Sequence, residues 1–198
     1  MRNPLGGFRL AVVILLAAGA ARAENGTPVP SPTTKPFGIA LEKFPYPYPV
    51  HLFPLTQQGE QLRMAYMDVA PKGDANGRTA VLLHGRNFPS SYWQGAIEAL
   101  SGAGYRVIVP DQIGFNKSSK PAFDLHFDQL ARNTKALLDE LKADKVSLIG
   151  HSTGGMVSVR FARMYPELVD RMVLVAPIGL EDYRLYVPPI PAFGQSRR

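Results

Sequence analysis

Apolar and polar positions along the chain follow two alternating periods after residue 50. Short apolar runs predict β-strands at Val50–Pro54, Gln61–Ala70, Thr79–Leu83, Arg106–Val109, Val146–Ile149 and Arg171–Ala176. Apolar residues at helical spacing predict helices at Tyr92–Ala103, Leu125–Lys142 and Ser152–Tyr165. A turn signal at residues 57–59 predicts that the first two strands are antiparallel. The strand–helix alternation that follows predicts an α/β fold, in which a mostly parallel sheet carries helices on both faces.

The pentad Gly150-His151-Ser152-Thr153-Gly154 separates a predicted strand from a predicted helix. In that setting Gly-x-Ser-x-Gly indicates a nucleophile elbow, a strained turn that lifts the Ser152 hydroxyl out of the backbone. Gly150 and Gly154 would let the strand and the helix approach closely. The chemistry that this motif predicts is acyl transfer, with Ser152 as the catalytic nucleophile.

A glycine-rich turn between a strand and a helix can also bind phosphate. A phosphate loop, however, needs a longer glycine-spaced run that ends in Gly-Lys-Ser/Thr. A dinucleotide site needs Gly-x-Gly-x-x-Gly in the first helix of its unit. Neither pattern is present at this turn, so the elbow is the favoured interpretation.

A second segment upstream has the features of an oxyanion loop. The predicted strand Thr79–Leu83 runs into His84 and Gly85, and Gly85 can bend the turn that follows. An anionic intermediate needs fixed backbone N–H donors, and the expected pair is the amide of Thr153 and the amide of Arg86. We interpret His84 as a structural residue that braces this loop through hydrogen bonds.

A third segment completes a set of motifs that resembles a known superfamily. His84-Gly85, then Asp111-x-x-Gly-Phe-x-x-Ser118, then Gly-His-Ser-x-Gly-Gly occur in order between Thr79 and Pro177. Their spacing is similar to that of the α/β-hydrolase superfamily, in the branch that includes epoxide hydrolases, haloalkane dehalogenases, carbon–carbon bond hydrolases and small-ester hydrolases. The first two groups carry an aspartate nucleophile where this chain has Ser152. The resemblance therefore implies a serine hydrolase that is esterase-like or cleaves carbon–carbon bonds.

The catalytic acid and base are harder to assign. In this architecture the order along the chain is nucleophile, acid, histidine, and the four histidines are His51, His84, His126 and His151. None of them follows the nucleophile. His126 could stand in as the base, but we interpret it as a residue at the start of the long helix. Glu181 and Asp182 follow the last predicted strand and are candidates for the acid, but we favour the interpretation that they open a cap segment and face solvent.

The resemblance covers only the N-terminal portion of the superfamily fold, so we expect the C-terminal part to be missing. On this interpretation the chain is a truncated serine hydrolase that is inactive, because Ser152 without a base stays a neutral alcohol and a poor nucleophile. The alternative is a secreted non-catalytic module that uses the same fold to bind a small molecule or a partner protein.

The first 23 residues have the features of a secretory signal peptide. Arg2 and Arg9 give a positive start, residues 10–20 are apolar, and Ala21-Arg22-Ala23 is a small-x-small cleavage site. The apolar stretch is shorter than the roughly 20 residues that a membrane-spanning helix needs. We therefore expect cleavage after Ala23, a secreted or periplasmic protein, and no stable membrane anchor after cleavage.

The predicted signal peptide (1–23) precedes a Pro-rich linker (24–43) and a partial α/β-hydrolase domain (44–198). Within that domain, Phe44-Pro-Tyr-Pro-Tyr-Pro-Val50 alternates aromatic residues with prolines. Such a segment can dock on its own domain as a polyproline-like arm or can bind a partner. We favour docking.

Composition narrows the partners further. The chain is 45% hydrophobic and 19% charged, which is ordinary for a globular protein, and it has no cysteine for disulfides or thiol catalysis. Signal cleavage removes three of the 22 basic residues and no acid, so the net charge falls from +6 to +3. The remaining basic residues are scattered, which argues against nucleic acid. No metal-ligand spacing is apparent and serine acyl transfer needs no cofactor, so we expect a small-molecule substrate and neither metal nor cofactor.

Overall fold

The protein is described by a computed structural model that covers residues 37–180. The predicted signal peptide, most of the predicted linker, and Glu181 and Asp182 lie outside the described residues. The elements within residues 37–180 are β1 (His51–Gln57), β2 (Glu60–Val69), β3 (Thr79–Leu83), α1 (Gln94–Gly102), β4 (Arg106–Pro110), α2 (Phe127–Glu140), β5 (Val146–His151), α3 (Thr153–Met164) and β6 (Val169–Val175). Two 3-10 turns, Ser90–Trp93 and Pro166–Leu168, precede α1 and β6.

The strands form one sheet in the order β1-β2-β4-β3-β5-β6. β1 and β2 form an antiparallel hairpin, and β2 is also antiparallel to β4. The strands β4, β3, β5 and β6 are parallel to one another, so their carboxyl ends meet at one edge of the sheet. The predicted antiparallel start and mostly parallel sheet are confirmed, and the loops after β3, β4 and β5 open on the same edge.

Helices cover both faces of the sheet, as predicted. Period-two alternation along β3 turns Leu82 toward one face and Val81 and Leu83 toward the other. The first face packs against Ile97 of α1, and the second packs against α2 and α3, where Phe161 is fully buried. Burial of these side chains between the layers fixes the sheet under the loops at its carboxyl edge.

Element boundaries differ from the sequence prediction where local rules compete. β1 continues past Pro54 to Gln57, because at the edge of the sheet Pro54 can be accommodated without a ladder N–H donor. β6 begins at Val169, two residues before the predicted start. Asp170 is polar and exposed, so a search for apolar runs did not extend the predicted strand past it to Val169. At α2, His126 is the N-cap and the helix begins at Phe127.

The Phe44–Val50 segment docks on the domain, as favoured from the sequence. Tyr46, Tyr48 and Val50 pack against the core on the α1 face of the sheet. The contact extends further toward the N-terminus, since Nζ of Lys117 donates a hydrogen bond to the carbonyl of Leu41 at 2.6 Å. We call residues 41–50 the docked arm.

Candidate active site

The turn after β5 has the strained backbone expected of a nucleophile elbow. Ser152 has φ 52° and ψ −115°, a conformation that side-chain-bearing residues rarely adopt. Its amide donates to the carbonyl of Val175 at 3.0 Å, and its carbonyl accepts from the amide of Gly155 at 2.9 Å. Thr153 is the first residue of α3, so its N–H has no acceptor inside the helix.

Close backbone approach fixes the elbow against the neighbouring strand. A Cβ atom placed on Gly154 would lie 2.1 Å from the carbonyl oxygen of Leu83, the last residue of β3. The start of α3 therefore packs directly on the end of β3, which is also where the predicted oxyanion loop begins. The sequence predicted that Gly150 and Gly154 let the strand and the helix of the elbow itself approach closely. Gly150 has that contact, since a Cβ atom there would lie 2.5 Å from the carbonyl oxygen of Gly154, whereas the close neighbour of Gly154 is β3.

The predicted oxyanion loop is a turn across residues 85–88. The amide of Phe88 donates to the carbonyl of Gly85 at 3.2 Å. Within residues 37–180, the amide of Arg86 has no hydrogen-bond acceptor in the protein, and so it is free to serve a ligand. The reason for glycine at position 85 differs from the one inferred from the sequence. Its φ is not positive, but a Cβ atom there would lie 2.9 Å from Nδ1 of His151.

His84 braces this loop, as interpreted from the sequence. Its side chain is 3% exposed, and its Nε2 accepts a hydrogen bond from the amide of Gln112 at 3.0 Å. That bond leaves the proton on Nδ1, which donates to the carbonyl of Gly85 at 2.8 Å. Burial lowers the pKa of His84. The imidazole is thus a neutral strut between the loops that follow β3 and β4.

The described residues include all four histidines of the chain, and none of them makes a hydrogen bond to Ser152. His126 caps α2, which is the position expected from the sequence. The ring of His51 lies against Tyr66 in the β1–β2 hairpin. His151 precedes the elbow, and its Nδ1 lies 3.1 Å from the hydroxyl of Tyr92. Position therefore gives no support to any of the four histidines as the general base.

An aromatic cluster surrounds His151 beside the elbow. The rings of Phe88 and Tyr92 lie 5.6 and 5.7 Å from the imidazole, and Trp93 lies 6.5 Å away. Burial raises the pKa of the Tyr92 hydroxyl, which therefore stays protonated and able to donate. Phe88 is 46% exposed, so the cluster presents an apolar wall next to the nucleophile.

Sequence reasoning gave no role to Asp111, the residue that follows β4. Its carboxylate is 1% exposed and accepts four hydrogen bonds. One oxygen accepts from the amide of Ser90 at 3.2 Å and from Nδ2 of Asn116 at 3.0 Å. The other accepts from the hydroxyl of Tyr46 at 2.7 Å and from the amide of Lys117 at 3.1 Å. An acid directly after a buried strand was the signal that could have found it.

Residues 37–180 hold no group of three or more histidine, aspartate or glutamate side chains placed to bind a metal ion. Within the same range, no helix is both long and apolar enough to span a membrane. A groove of about 640 Å³ lies between the docked arm and the β1–β2 hairpin, with Leu52 and Lys120 in its walls. The groove contains neither Ser152 nor the oxyanion loop.

Comparison with known proteins defines the class. The family described as the alpha/beta hydrolase fold matches residues 80–197, well over half of the chain. The protein therefore belongs to the α/β-hydrolase family.

Particular relatives lie within that family. A crystal structure of a probable hydrolytic enzyme from Pseudomonas aeruginosa is 55% identical, with a TM-score of 0.73, over 76% of this chain. A 2-hydroxy-6-oxo-6-phenylhexa-2,4-dienoate hydrolase from Burkholderia cepacia is 32% identical over 64% of the chain. A 2-hydroxy-6-oxononadienedioate/2-hydroxy-6-oxononatrienedioate hydrolase from Paraburkholderia phymatum is 39% identical over 59%. These matches cover 48%, 49% and 41% of the respective relatives, so the chain spans about half their length.

Proposed function

We propose that this chain carries the nucleophile and the oxyanion hole of a serine hydrolase that acts by acyl transfer on a small carbonyl compound. Ser152 would attack the carbonyl carbon, and the amides of Thr153 and Arg86 would stabilise the oxyanion that forms. The observation that carries the proposal is the left-handed backbone of Ser152 at the carboxyl end of β5, directly beside the end of β3. A purely structural serine has no need of that strained conformation.

The substrate class follows from the relatives and the wall of the site. Two relatives are hydrolases of 2-hydroxy-6-oxo dienoate-type compounds by name. Such a compound contains a ketone and no ester, so its hydrolysis would break a carbon–carbon bond beside that ketone. The aromatic cluster of Phe88, Tyr92 and Trp93 lies next to the elbow, and its exposed members, Phe88 and Tyr92, would pack against an apolar acyl group. We therefore propose a carbon–carbon bond or ester substrate with an apolar or aromatic acyl portion.

No residue is assigned as the proton acceptor, because none of the four histidines makes a hydrogen bond to Ser152. In serine hydrolases the oxyanion hole and binding alone retain a rate on the order of a thousandfold over water. The 198-residue chain is therefore expected to react slowly, and a base supplied from solution should accelerate that reaction.

The test uses a fluorescent fluorophosphonate, which reacts covalently with an activated serine. The full 198-residue chain is incubated with the probe with and without added imidazole, alongside S152A and, as a matched control, S91A in the 3-10 turn before α1. We expect labelling that rises with imidazole in the wild-type chain and in S91A, and no labelling of S152A.

Equal labelling of S152A and the wild-type chain would contradict the proposal. An unreactive chain that nevertheless binds a small molecule tightly would instead favour the non-catalytic binding module.

A further inference from the structure

We propose that the hydroxyl of Tyr46, in the docked arm, positions the oxyanion loop through the buried carboxylate of Asp111. The inference rests on the proposed function for its catalytic consequence, but its structural part can be tested without any activity. Tyr46 lies 65 residues from Asp111 in sequence and joins the site only because the arm docks. On this account, a segment outside the α/β core completes the support of the active site.

The link from Tyr46 to Asp111 is short and shielded. The hydroxyl of Tyr46 donates to one oxygen of the carboxylate at 2.7 Å, and Asp111 is 1% exposed. Burial and the neighbouring negative charge raise the pKa of Tyr46 far above neutral pH, so its hydroxyl remains a donor. Nζ of Lys117 lies 4.9 Å from the centroid of the Tyr46 ring and also holds the arm at Leu41. The side chain of Tyr46 is therefore held both at its hydroxyl, by Asp111, and at its ring, by Lys117.

The link from Asp111 to the oxyanion loop uses its other oxygen. That oxygen accepts from the amide of Ser90, the second residue after Phe88. It also accepts from Nδ2 of Asn116, which donates in addition to the carbonyl of Phe88 at 3.0 Å. The turn across residues 85–88 is thus tied to Asp111 on its C-terminal side by two routes.

Loss of the Tyr46 hydroxyl would leave a buried carboxylate one donor short. Because an unsatisfied buried acceptor is costly, its remaining donors are expected to move toward it, or a water molecule is expected to enter and replace the lost donor. Because Ser90 and Asn116 are among those donors, the expected response is movement of the loop that presents the Arg86 amide. Rate is sensitive to such displacement, since oxyanion donors act only at the right distance from the developing charge.

The experiment compares Y46F with Y48F as the matched control. Tyr48 packs against the same face of the core and, within residues 37–180, its hydroxyl has no hydrogen-bond partner. Hydrogen exchange by NMR is followed at the amide of Ser90, with the amide of Leu138 in α2 as the reference for global unfolding. In parallel, imidazole-assisted fluorophosphonate labelling is measured against probe concentration.

We expect Y46F to accelerate exchange at Ser90 by about tenfold or more relative to Leu138, because a hydrogen bond to a charged group is worth a factor of roughly 10 to 100. The saturating labelling rate should fall by a similar factor, while the half-saturating probe concentration stays unchanged. Y48F should alter neither quantity.

Ser90 exchange in Y46F that matches the wild type, or that changes only in step with Leu138, would overturn the inference. Should Ser152 prove unreactive in every variant, the proposed function fails, and the exchange result still decides whether Tyr46 holds the loop. Faster Ser90 exchange with an unaltered saturating labelling rate would show a merely structural tie and would also overturn the positioning role.

Discussion

The two loops that meet at the candidate site are held by different kinds of contact. The elbow at residues 150–155 is fixed by its backbone: a left-handed serine, a glycine pressed on the carbonyl of Leu83, and main-chain hydrogen bonds. The oxyanion loop at residues 85–88 is fixed by side chains. The chief ones are His84, which donates to the carbonyl of Gly85, and Asp111, which accepts from the amide of Ser90. Substitutions that add atoms should therefore disrupt the elbow by steric clash, whereas substitutions that remove polar groups should disrupt the oxyanion loop by loss of hydrogen bonds.

This difference predicts how each region responds to substitution and to pH. Backbone contacts do not depend on pH, because the peptide groups that make them do not titrate. They also leave no space for an added side-chain atom. Buried polar side chains tolerate small changes in volume but depend on protonation and on the presence of every partner. Three substitutions, ordered by expected effect, separate these behaviours.

The largest effect is expected for G154A. The new methyl group would lie 2.1 Å from the oxygen of Leu83, which belongs to a buried central strand that cannot give way. We expect a loss of about 3 kcal/mol in the free energy of unfolding, measured by urea denaturation. The matched control is G95A in α1, where nothing lies within 4 Å of the added atom. That variant should be neutral or more stable by up to about 1 kcal/mol, and equal losses in both would contradict the account of the elbow.

An intermediate effect is expected for D111N. The change keeps the size of the side chain but removes the charge and replaces one acceptor with an NH₂ group, so the four donors can no longer all be satisfied. We expect a loss of about 2 kcal/mol by urea denaturation. The control D139N removes an exposed carboxylate that pairs with Lys135 and should cost less than about 0.5 kcal/mol. Similar values for both variants would show that the Asp111 network does not hold the loop.

The smallest effect is a pH dependence that His84 confers. Burial lowers the pKa of His84 in the folded state. Below about pH 6.5, His84 is therefore protonated in the unfolded chain while it stays neutral in the folded chain. Stability from this group is therefore complete above about pH 6.5 and is lost as the pH falls toward the folded pKa, with a slope of at most about 1.4 kcal/mol per pH unit.

The measurement is urea unfolding of the wild type and of H84Q at about pH 7.5 and about pH 5.5. H84Q should lose less stability on acidification than the wild type. If H84Q and the wild type lose stability equally, the loop is not held by a neutral buried imidazole.

The same division explains how much could be predicted from sequence. The elbow was predictable because Gly150, Ser152 and Gly154 occur at fixed spacing between a strand and a helix, and local chemistry determines the turn. The antiparallel start and the mostly parallel sheet were also predictable from the pattern, but the strand order, with β4 between β2 and β3, was not predicted.

The supports of the oxyanion loop were not predictable in the same way. Tyr46 and Asp111 are 65 residues apart, and nothing in local pattern pairs a tyrosine in a Pro-rich arm with an acid after β4. The close contact of Gly85 was not predictable either, because the atom nearest to an added Cβ there is Nδ1 of His151, on a different strand. Long-range side-chain contacts depend on tertiary packing, which periodicity does not encode. The candidate acids Glu181 and Asp182 lie beyond the described residues and stay predictions.

Acyl transfer to Ser152 is the central claim, and mass spectrometry tests it most directly. The chain is mixed with p-nitrophenyl acetate in the presence of imidazole, quenched in acid and digested with trypsin, which releases residues 146–160 as one peptide between Lys145 and Arg160. The account predicts an acetyl group on Ser152, found by fragmentation of that peptide, and no acetylation of the same peptide in S152A. Acetylation spread over Ser147, Ser158 and surface lysines, with none enriched at Ser152, would contradict it.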